Sequence, residues 1–347
     1  MVTERGLEVL RAIVQDYVAT HEPVGSRSIV ERHAFGVSAA TIRNDMAQLE
    51  DEELIVAPHT SSGRVPTDKG YRVFVNHLAQ LRPLSAPQRT AIESFLAAPS
   101  DLDDLMARTV RVLTQLTGQV ALAQYPSFAR AAVTHVELVA LAPTRILVVL
   151  VTDAGGVSQR ISPLPMEVDD ADVAVLRAQL AALITGRAVS EAAERISAIA
   201  EPEPSGPVAH LHPAISALAA VIGEELAEFR QERLVMAGAA TLARREHDFR
   251  GSIHPLLEAI EEQVTLLRLM SEMVTDEQGL ATSIGTENAP FGLGEASIVA
   301  STYGSAGGSA RVGVMGPTRM DYPSNLAAAR AVARYLSRML EEDEAAR

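Results

Sequence analysis

The sequence predicts an α+β protein of several domains, with a small helical domain and a β-hairpin at its N-terminus. Three observations support this prediction. A chain of 347 residues is too long for one hydrophobic core. Apolar residues recur at helical spacing over roughly the first 50 positions, and a short strand-like hairpin follows them. Beyond residue 100, segments with strand character are separated by an Ala-rich helical stretch.

The composition excludes several classes of protein. Apolar residues make up 47% of the chain, which is ordinary for a folded protein, and there is no cysteine. Disulfides, thiolate zinc fingers, iron–sulfur clusters and thiol catalysis are therefore excluded. The N-terminus, with Glu4, Arg5 and Glu8, does not resemble a signal peptide, and the most apolar run, Ile146–Val151, is too short to cross a bilayer. We therefore expect a cytoplasmic protein with no membrane partner.

The formal net charge of −14 does not favour binding to nucleic acid, which attracts basic surfaces. Its distribution changes that view. Residues 1–82 hold nine Arg and Lys against eleven Asp and Glu, about −2, so most of the acid lies in the remainder of the chain. Any contact with DNA must therefore depend on where individual side chains lie.

Residues 1–82 have the outline of a winged helix-turn-helix domain. Three amphipathic helices are expected, at 4–20, from a cap at Ser26, and from a cap at Ser38 to about Glu53. Strands at Leu54–Pro58 and Arg64–Pro66 then form a hairpin. Three helices followed by such a hairpin are typical of this DNA-binding fold.

The third helix has a surface suited to the major groove of DNA. Its buried stripe consists of Val37, Ile42, Met46 and Leu49, and its opposite side presents Ala40, Thr41, Asn44 and Gln48, with Arg43 on the flank. The two amides match an adenine edge, and an arginine can reach a phosphate or a guanine. A plain solvated helix would instead carry Lys and Glu pairs at four-residue spacing.

The hairpin turn adds hydroxyl, imidazole and guanidinium donors with no acid among them, which suits a phosphate backbone or a minor groove. The predicted DNA-binding residues are Ser26, Arg27, Ser38, Ala40, Thr41, Arg43, Asn44, Gln48, His59, Thr60, Ser61, Ser62, Arg64, Lys69 and Arg72.

The rest of the chain is predicted to form one α+β domain, at 100–168 and 250–347, interrupted by a helical insertion at 169–250. Its strands are expected at 133–141, 146–151, 157–164, 298–303 and 311–315, and the first three read as an antiparallel meander. Residues 83–100, with three prolines, are expected to be a linker.

An enzyme is the first alternative, and the motifs do not favour it. Gly304–Gly308 lacks the spacing of a nucleophile elbow, and no Gly-rich phosphate loop occurs. The pair His210 and His212 has no evident third metal ligand. Glu287-Asn288 and Arg319-Asp321 are interpreted as a buried polar network. No catalytic residue, metal or cofactor is therefore predicted.

At this point a family resemblance is evident. The chain resembles the heat-inducible transcription repressor HrcA family in five segments: Glu22-Pro-Val-Gly-Ser26, Val37–Met46, Pro58–Thr67 with Gly70-Tyr-Arg72, Ile284-Gly-Thr-Glu-Asn288, and Gly316-Pro-Thr-Arg-Met-Asp-Tyr322. These segments are long and lie at both ends of the chain. One departure is Glu53, where the family tends to have glycine; Glu53 must either strain the backbone or extend the helix.

The resemblance implies a repressor that binds an inverted repeat, CIRCE, upstream of chaperone operons and depends on the GroE chaperonin. It also implies a GAF-like domain with an inserted dimerising domain. An inverted repeat demands a two-fold protein, so a homodimer is expected. Candidate dimer stripes are Leu176, Leu180 and Leu183, and Leu218, Ile222 and Leu226, although these stripes also suit packing within one chain. The alternative is a winged-helix repressor whose GAF-like domain senses a small molecule.

Overall fold

The computed structural model describes residues 2–59, 62–77, 83–126, 131–153, 156–199, 209–230, 233–244, 246–249, 253–305 and 308–345. Helices and strands both contribute, so the predicted α+β class is confirmed. The chain divides into two compact units: unit 1 is Met1–Ala123, Leu234–Thr302 and Arg311–Ala333, and unit 2 is Gln124–Arg233, Tyr303–Ala310 and Arg334–Arg347.

The α-helices are α1 Glu4–Thr20, α2 Ser26–Arg32, α3 Ala39–Asp51, α4 Asp68–Asn76, α5 Ala86–Leu96, α6 Leu102–Thr117, α7 Asp170–Ile184, α8 Val189–Ala198, α9 His212–Arg230, α10 Ala239–Arg244, α11 His254–Glu262, α12 Val264–Glu272 and α13 Tyr322–Ala345. The strands are β1 Ile55–Val56, β2 Val65–Pro66, β3 Val120–Gln124, β4 Val133–Ala142, β5 Arg145–Thr152, β6 Val157–Pro163, β7 Leu234–Ala237, β8 Leu280–Ile284, β9 Ala296–Ser305 and β10 Gly308–Pro317. Short 3₁₀ helices lie at Ala209–Leu211, Glu246–Asp248 and Gly285–Phe291. None of the helices in the described part of the chain is long and apolar enough to cross a membrane.

Residues 2–77 of unit 1, which we call the head, consist of α1–α4 and the β1–β2 hairpin. Helices α1 to α3 enclose a core of Val9, Leu10, Ile13, Ile29, Ile42 and Leu49. Val24, between α1 and α2, exchanges two backbone hydrogen bonds of 2.9 Å with Arg64 and so adds a third segment to the hairpin. A Cβ at Gly63 would lie 2.6 Å from the Val24 carbonyl, so this close approach requires glycine.

One local prediction in the head is wrong. The N-cap of α2 is Gly25 and not Ser26, which is the first helical residue. The hydroxyl of Ser28 instead accepts from the Gly25 N–H at 3.2 Å and donates to the Gly25 carbonyl at 2.8 Å. Glycine at this position offers no side-chain acceptor, so the third helical residue supplies the polar contact.

Helix α3 ends in a tight backbone turn at Glu53. The Leu54 N–H bonds the Leu49 carbonyl and the Glu53 N–H bonds the Glu50 carbonyl, both at 2.9 Å, as in a Schellman motif. Glu53 occupies the left-handed position, with φ of 60°. Of the two outcomes expected for this residue, the structure therefore has backbone strain and no extension of the helix.

Helix α4 is locked against the end of this turn. Thr67 caps α4 by accepting from the Gly70 N–H at 3.0 Å, and its hydroxyl donates to the Glu53 carbonyl at 2.7 Å. A Cβ at Gly70 would lie 1.9 Å from the Leu54 oxygen. Only glycine therefore allows α4 to come this close to the end of α3.

The remainder of unit 1, which we call the body, is built on a five-stranded sheet in the order β7-β3-β10-β9-β8. Its core combines sheet residues with α11 and α12, including Val120, Leu122, Leu256, Leu266, Met270, Ile298 and Met315. The strands predicted at 133–164 are formed, but they do not join this sheet. They make a separate antiparallel sheet in the order β4-β5-β6, in which each strand pairs with its immediate neighbour in sequence.

The predicted domain limits change accordingly. The insertion expected at 169–250 corresponds to residues 124–233 of unit 2, since β4–β6 belong with it, while β7 returns to the sheet of unit 1. The linker expected at 83–100 is largely the helix α5. A capping box of Ser85 and Gln88 begins this helix, and Ile92 and Leu96 are buried. The prolines of this segment thus mark helix ends, where proline is well tolerated.

Unit 2 packs the three-stranded sheet against α7, α8 and α9. One face of the sheet carries Val136, Leu138, Val148 and Leu150, which are buried with apolar residues of the three helices. The other face of the sheet keeps Val139, Val157 and Ile161 exposed. Period-two alternation therefore supplies one buried face and one exposed apolar face.

We predict that Glu53→Gly stabilises the protein. Glycine adopts a positive φ without the steric cost of about 1 kcal/mol that a Cβ carries there. The free energy of unfolding, from urea denaturation followed by circular dichroism, should rise by about that amount. Glu53→Ala removes the same carboxylate and keeps the Cβ, so it is the matched control. An equal gain in both variants would assign the effect to charge and contradict the strain at this residue.

Candidate nucleic-acid interface

Helix α3 separates a buried side from an exposed one as its spacing predicts. Ile42, Met46 and Leu49 are buried. Ala40, Arg43, Asn44 and Gln48 are exposed, and Thr41 is half-buried. The structure thus brings the five side chains expected to face DNA onto one surface of one helix.

Two contacts hold α3 in place without using that surface. The Ser38 hydroxyl caps the helix by accepting from the Thr41 N–H at 3.2 Å. Arg5 of α1 grips the buried Asp45 carboxylate with two hydrogen bonds of 2.8 and 3.0 Å. The hydrogen bond and the charge of Asp45 raise the pKa of Arg5, so the guanidinium stays charged. Ser38 is therefore a capping residue, and its hydroxyl is already committed to the helix.

The polar side chains on the exposed face keep their hydrogen-bonding capacity. Arg27, Arg43, Asn44 and Gln48 are exposed and form no side-chain hydrogen bond or ion pair with any other described residue. Ser26, next to Arg27 in sequence, begins α2 and is half-buried. A polar surface without internal partners can satisfy the edges of an external ligand at little cost in broken contacts.

The hairpin donors are more committed than the sequence suggests. Arg64 binds the Glu50 carboxylate at 2.8 Å and the Ser62 carbonyl at 3.2 Å. The Ser62 hydroxyl donates to the His59 carbonyl at 2.7 Å and accepts from the His59 N–H at 3.0 Å. The His59 side chain is exposed. Thr60 and Ser61 lie outside the described residues.

Lys69 caps α3 at its C-terminal end. Its ammonium donates to the Glu52 carbonyl at 2.8 Å and lies 3.6 Å from the Glu53 carboxylate. Cations are favoured at the C-terminus of a helix, where carbonyl groups lack partners. With 56% of its side chain exposed, Lys69 keeps part of its charge open to solvent.

Arg72 is engaged in contacts within unit 1. Its guanidinium forms a two-pronged ion pair with the Glu287 carboxylate, with one hydrogen bond of 2.7 Å, and donates to the Thr282 carbonyl at 2.8 Å. These contacts join α4 to β8 and to the 3₁₀ helix Gly285–Phe291. These contacts do not favour the expectation that Arg72 binds DNA, because its Nε and Nη2 donors are already used within unit 1.

The contact around Arg72 is the functional feature that sequence reasoning missed. Asp68, one helical turn before Arg72, accepts from the Thr286 N–H at 2.8 Å. A Cβ at Gly285 would lie 2.3 Å from the Asp68 carboxylate, so the approach requires glycine. The sequence predicts that Glu287 and Asn288 belong to a buried polar network. Asn288 does fill that role, but Glu287 reaches the head.

The second C-terminal segment, Gly316–Tyr322, meets the same helix. The ring of Tyr322 lies 5.5 Å from that of Tyr71 on α4. Its hydroxyl lies 2.8 Å from the Thr318 carbonyl and 2.9 Å from the Ser297 hydroxyl. Burial raises the pKa of Tyr322, so the phenol remains a neutral donor. Three of the segments that carry the family resemblance therefore meet at α4. Their joint presence is the feature of the sequence from which this contact could be predicted.

The two candidate dimer stripes are largely internal. Leu176, Leu180, Leu218, Ile222 and Leu226 are all fully buried in the core of unit 2, and Leu183 is packed against that core. These side chains cannot meet a second chain without opening the unit. The predicted dimer contact through them is corrected, because they pack against each other and against the sheet of their own chain.

Comparison with known proteins gives a consistent result. Residues 103–325 match the family described as HrcA protein C terminal domain. The heat-inducible transcription repressor HrcA of Clavibacter michiganensis is 62% identical over 99% of this chain and 100% of its own length. That of Leifsonia xyli is 59% identical over 98% of this chain and 99% of its own length. A solved structure described only as a hypothetical protein has a TM-score of 0.64 and 25% identity and covers 99% of both chains.

Proposed function

We propose a specific role from one premise: the chain belongs to the HrcA family of heat-inducible transcription repressors. The role is negative regulation of heat-shock chaperone operons in the cytoplasm, through an inverted-repeat operator of the CIRCE type in double-stranded DNA. The repressor acts as a homodimer, and its activity follows the availability of the GroE chaperonin. No enzymatic step and no cofactor belong to this role.

The exposed face of α3 is the observation that carries the proposal. In a winged helix-turn-helix, the helix after the turn enters the major groove, and its exposed side chains contact base edges. Asn44 and Gln48 are one turn apart on that face and are unpartnered among the described residues. Amide side chains with both donor and acceptor recognise adenine in the major groove. Arg27 and Arg43 flank them and suit phosphates.

The hairpin supports this arrangement as the wing. Its base is joined to the start of α2 through the Val24 and Arg64 backbone bonds, which fixes the wing relative to α3. The acids Glu50 to Glu53 lie between these elements, and their negative charge repels DNA phosphates. Arg64 pairs with Glu50, and Lys69 lies beside Glu53, so part of this negative charge is compensated locally.

Unit 2 offers a surface for a second copy of the chain. On the outward face of its sheet, Leu147 lies between Val139 and Ile161 of the two neighbouring strands, and Val151 lies opposite Val157. Val139, Val157 and Ile161 are 43%, 53% and 44% exposed. Exposed apolar side chains on a sheet face, here on both sides of the row Glu137, Val149 and Gln159, are typical of an interface. We propose that two copies join through it, since an inverted repeat requires two-fold symmetry.

The construction of unit 1 supports control by a chaperonin. Unit 1 takes its residues from three separate stretches of chain, so its sheet closes only over long sequence distances. Such topologies fold slowly and expose apolar surface in the meantime. A chaperonin acts on chains of this kind, and DNA binding requires the folded head. In the proposed mechanism, unfolded proteins that occupy the chaperonin leave the repressor without its DNA-competent form.

The first prediction separates base contacts from other contacts. Asn44→Ala and Gln48→Ala should each weaken binding to the inverted repeat by ~1–3 kcal/mol while binding to random DNA changes little. Arg43→Ala should weaken both and lower the slope of log affinity against log salt by about 1. Fluorescence anisotropy with operator and random duplexes measures all three quantities.

Arg195→Ala is the matched comparison for Arg43→Ala, because it removes the same charge from an arginine of unit 2 that is paired with Glu191. Its salt slope should equal that of the wild type. Equal losses of specific and non-specific affinity in Asn44→Ala and Gln48→Ala would contradict base reading by α3.

The second prediction concerns the dimer. Ile161→Glu places a charge in the proposed interface without opening the core, since this side chain is already half exposed. The variant should sediment as a folded monomer and should lose most of its affinity for the full inverted repeat. Val175→Glu, an exposed residue of α7 in the same unit, is the control and should remain a dimer. An Ile161→Glu variant that stays dimeric would move the interface elsewhere.

A further inference from the structure

Three potential metal ligands from distant parts of the sequence meet at one point of unit 1. The His21 Nδ1 atom lies 3.6 Å from the Asp248 Oδ1 atom, and the His247 Nε2 atom lies 3.2 Å from the same oxygen. All three donor atoms lie within 4.8 Å of one another. Ligands at about 2.0–2.1 Å from a tetrahedral zinc ion stand about 3.3 Å apart. The two measured distances match the edges of such a site.

The backbone holds these donors in position. His21 ends α1 in the left-handed conformation, with φ of 63°, and its N–H bonds the Tyr17 carbonyl at 2.9 Å. His247 and Asp248 lie in the 3₁₀ turn Glu246–Asp248, which the buried ring of Phe249 anchors. Sites assembled on fixed backbone lose little entropy when a ligand binds.

The surroundings of the carboxylate are also those of a metal ligand. Asp248 is only 5% exposed, and Arg319 forms an ion pair with its Oδ1 atom. Arg319 itself lies over the Tyr17 ring at 5.4 Å. Ligating carboxylates are commonly held by such an outer partner.

Solvent can complete the coordination. A cleft of about 420 Å³ borders Tyr17, His247, Asp248 and Arg319. Both imidazoles are largely exposed, with 48% and 71% of the side chain open for His21 and His247. A cation therefore has an entry path, and water can take the positions that protein does not fill.

We propose that His21, His247 and Asp248 bind one transition-metal cation, of which Zn²⁺ is the best match to two imidazoles and one carboxylate. His21 belongs to the head and the other two residues belong to the body. A bound cation therefore crosslinks α1 to the body and stabilises unit 1. The site lies apart from the α3 face, so this inference goes beyond the proposed function and does not depend on it.

The test uses the untagged full-length chain and its variants. Zn²⁺ is titrated by calorimetry, and Co²⁺ by its visible absorption spectrum. We expect one site per chain, with intense tetrahedral Co²⁺ bands that Zn²⁺ abolishes. His21→Gln and His247→Gln should each raise the dissociation constant roughly tenfold or more. Zn²⁺ should also raise the melting temperature of the wild type and not that of His21→Gln.

His210→Gln is the control, because His210 is an exposed histidine of unit 2 that has His212 as a close neighbour in sequence. It should leave the affinity and the cobalt spectrum unchanged. Absence of binding would overturn the proposal and identify the cluster as an ion pair of Arg319 and Asp248 with two histidine contacts. Binding that survives in both His21→Gln and His247→Gln, or that is lost in His210→Gln, would overturn it as well.

Discussion

The contact between α4 and the 3₁₀ helix Gly285–Phe291 joins the head to the body, and the position of α3 depends on it. Asp68 and Arg72 stand four residues apart on α4 and therefore face the same side. They bind Thr286 and Glu287, while Gly70 lets the same helix press against the Leu54 carbonyl at the end of α3. A continuous set of polar and close-packed contacts thus runs from the end of α3 through α4 to β8 and to the 3₁₀ helix that follows it.

Local features of the fold were predictable, and long-range pairing was not. The bounds of α1, the stripe of α3 and the meander β4–β6 follow from periodicity and turn residues that lie close together. The sequence does not say which sheet a strand joins, because β4–β6 and β8–β10 have similar patterns and only packing separates them. The Leu stripes of α7 and α9 show the same limit, since an apolar stripe fits its own core or a second chain equally well. Arg72, His21 and His247 acquire partners from distant segments, which no spacing rule reveals.

Placement of charge reconciles an acidic chain with a DNA-binding role. Arg5 pairs with Asp45, Arg32 with Asp16, and Arg64 with Glu50, so several acids of the head are compensated within the head. The arginines without internal partners among the described residues include Arg27 and Arg43, beside the amides of α3. The net charge of about −2 for this segment therefore underestimates how well the α3 face suits DNA.

In the proposed mechanism, operator binding requires an intact unit 1, and the chaperonin restores this folded form. Active sites are titrated with operator DNA before mild heating, after it, and after incubation with chaperonin and nucleotide. The account predicts that heating lowers the active fraction, that the chaperonin raises it again, and that the dissociation constant of the active dimers stays constant. An unchanged active fraction with a tighter dissociation constant would contradict the account and would indicate an ordinary allosteric corepressor.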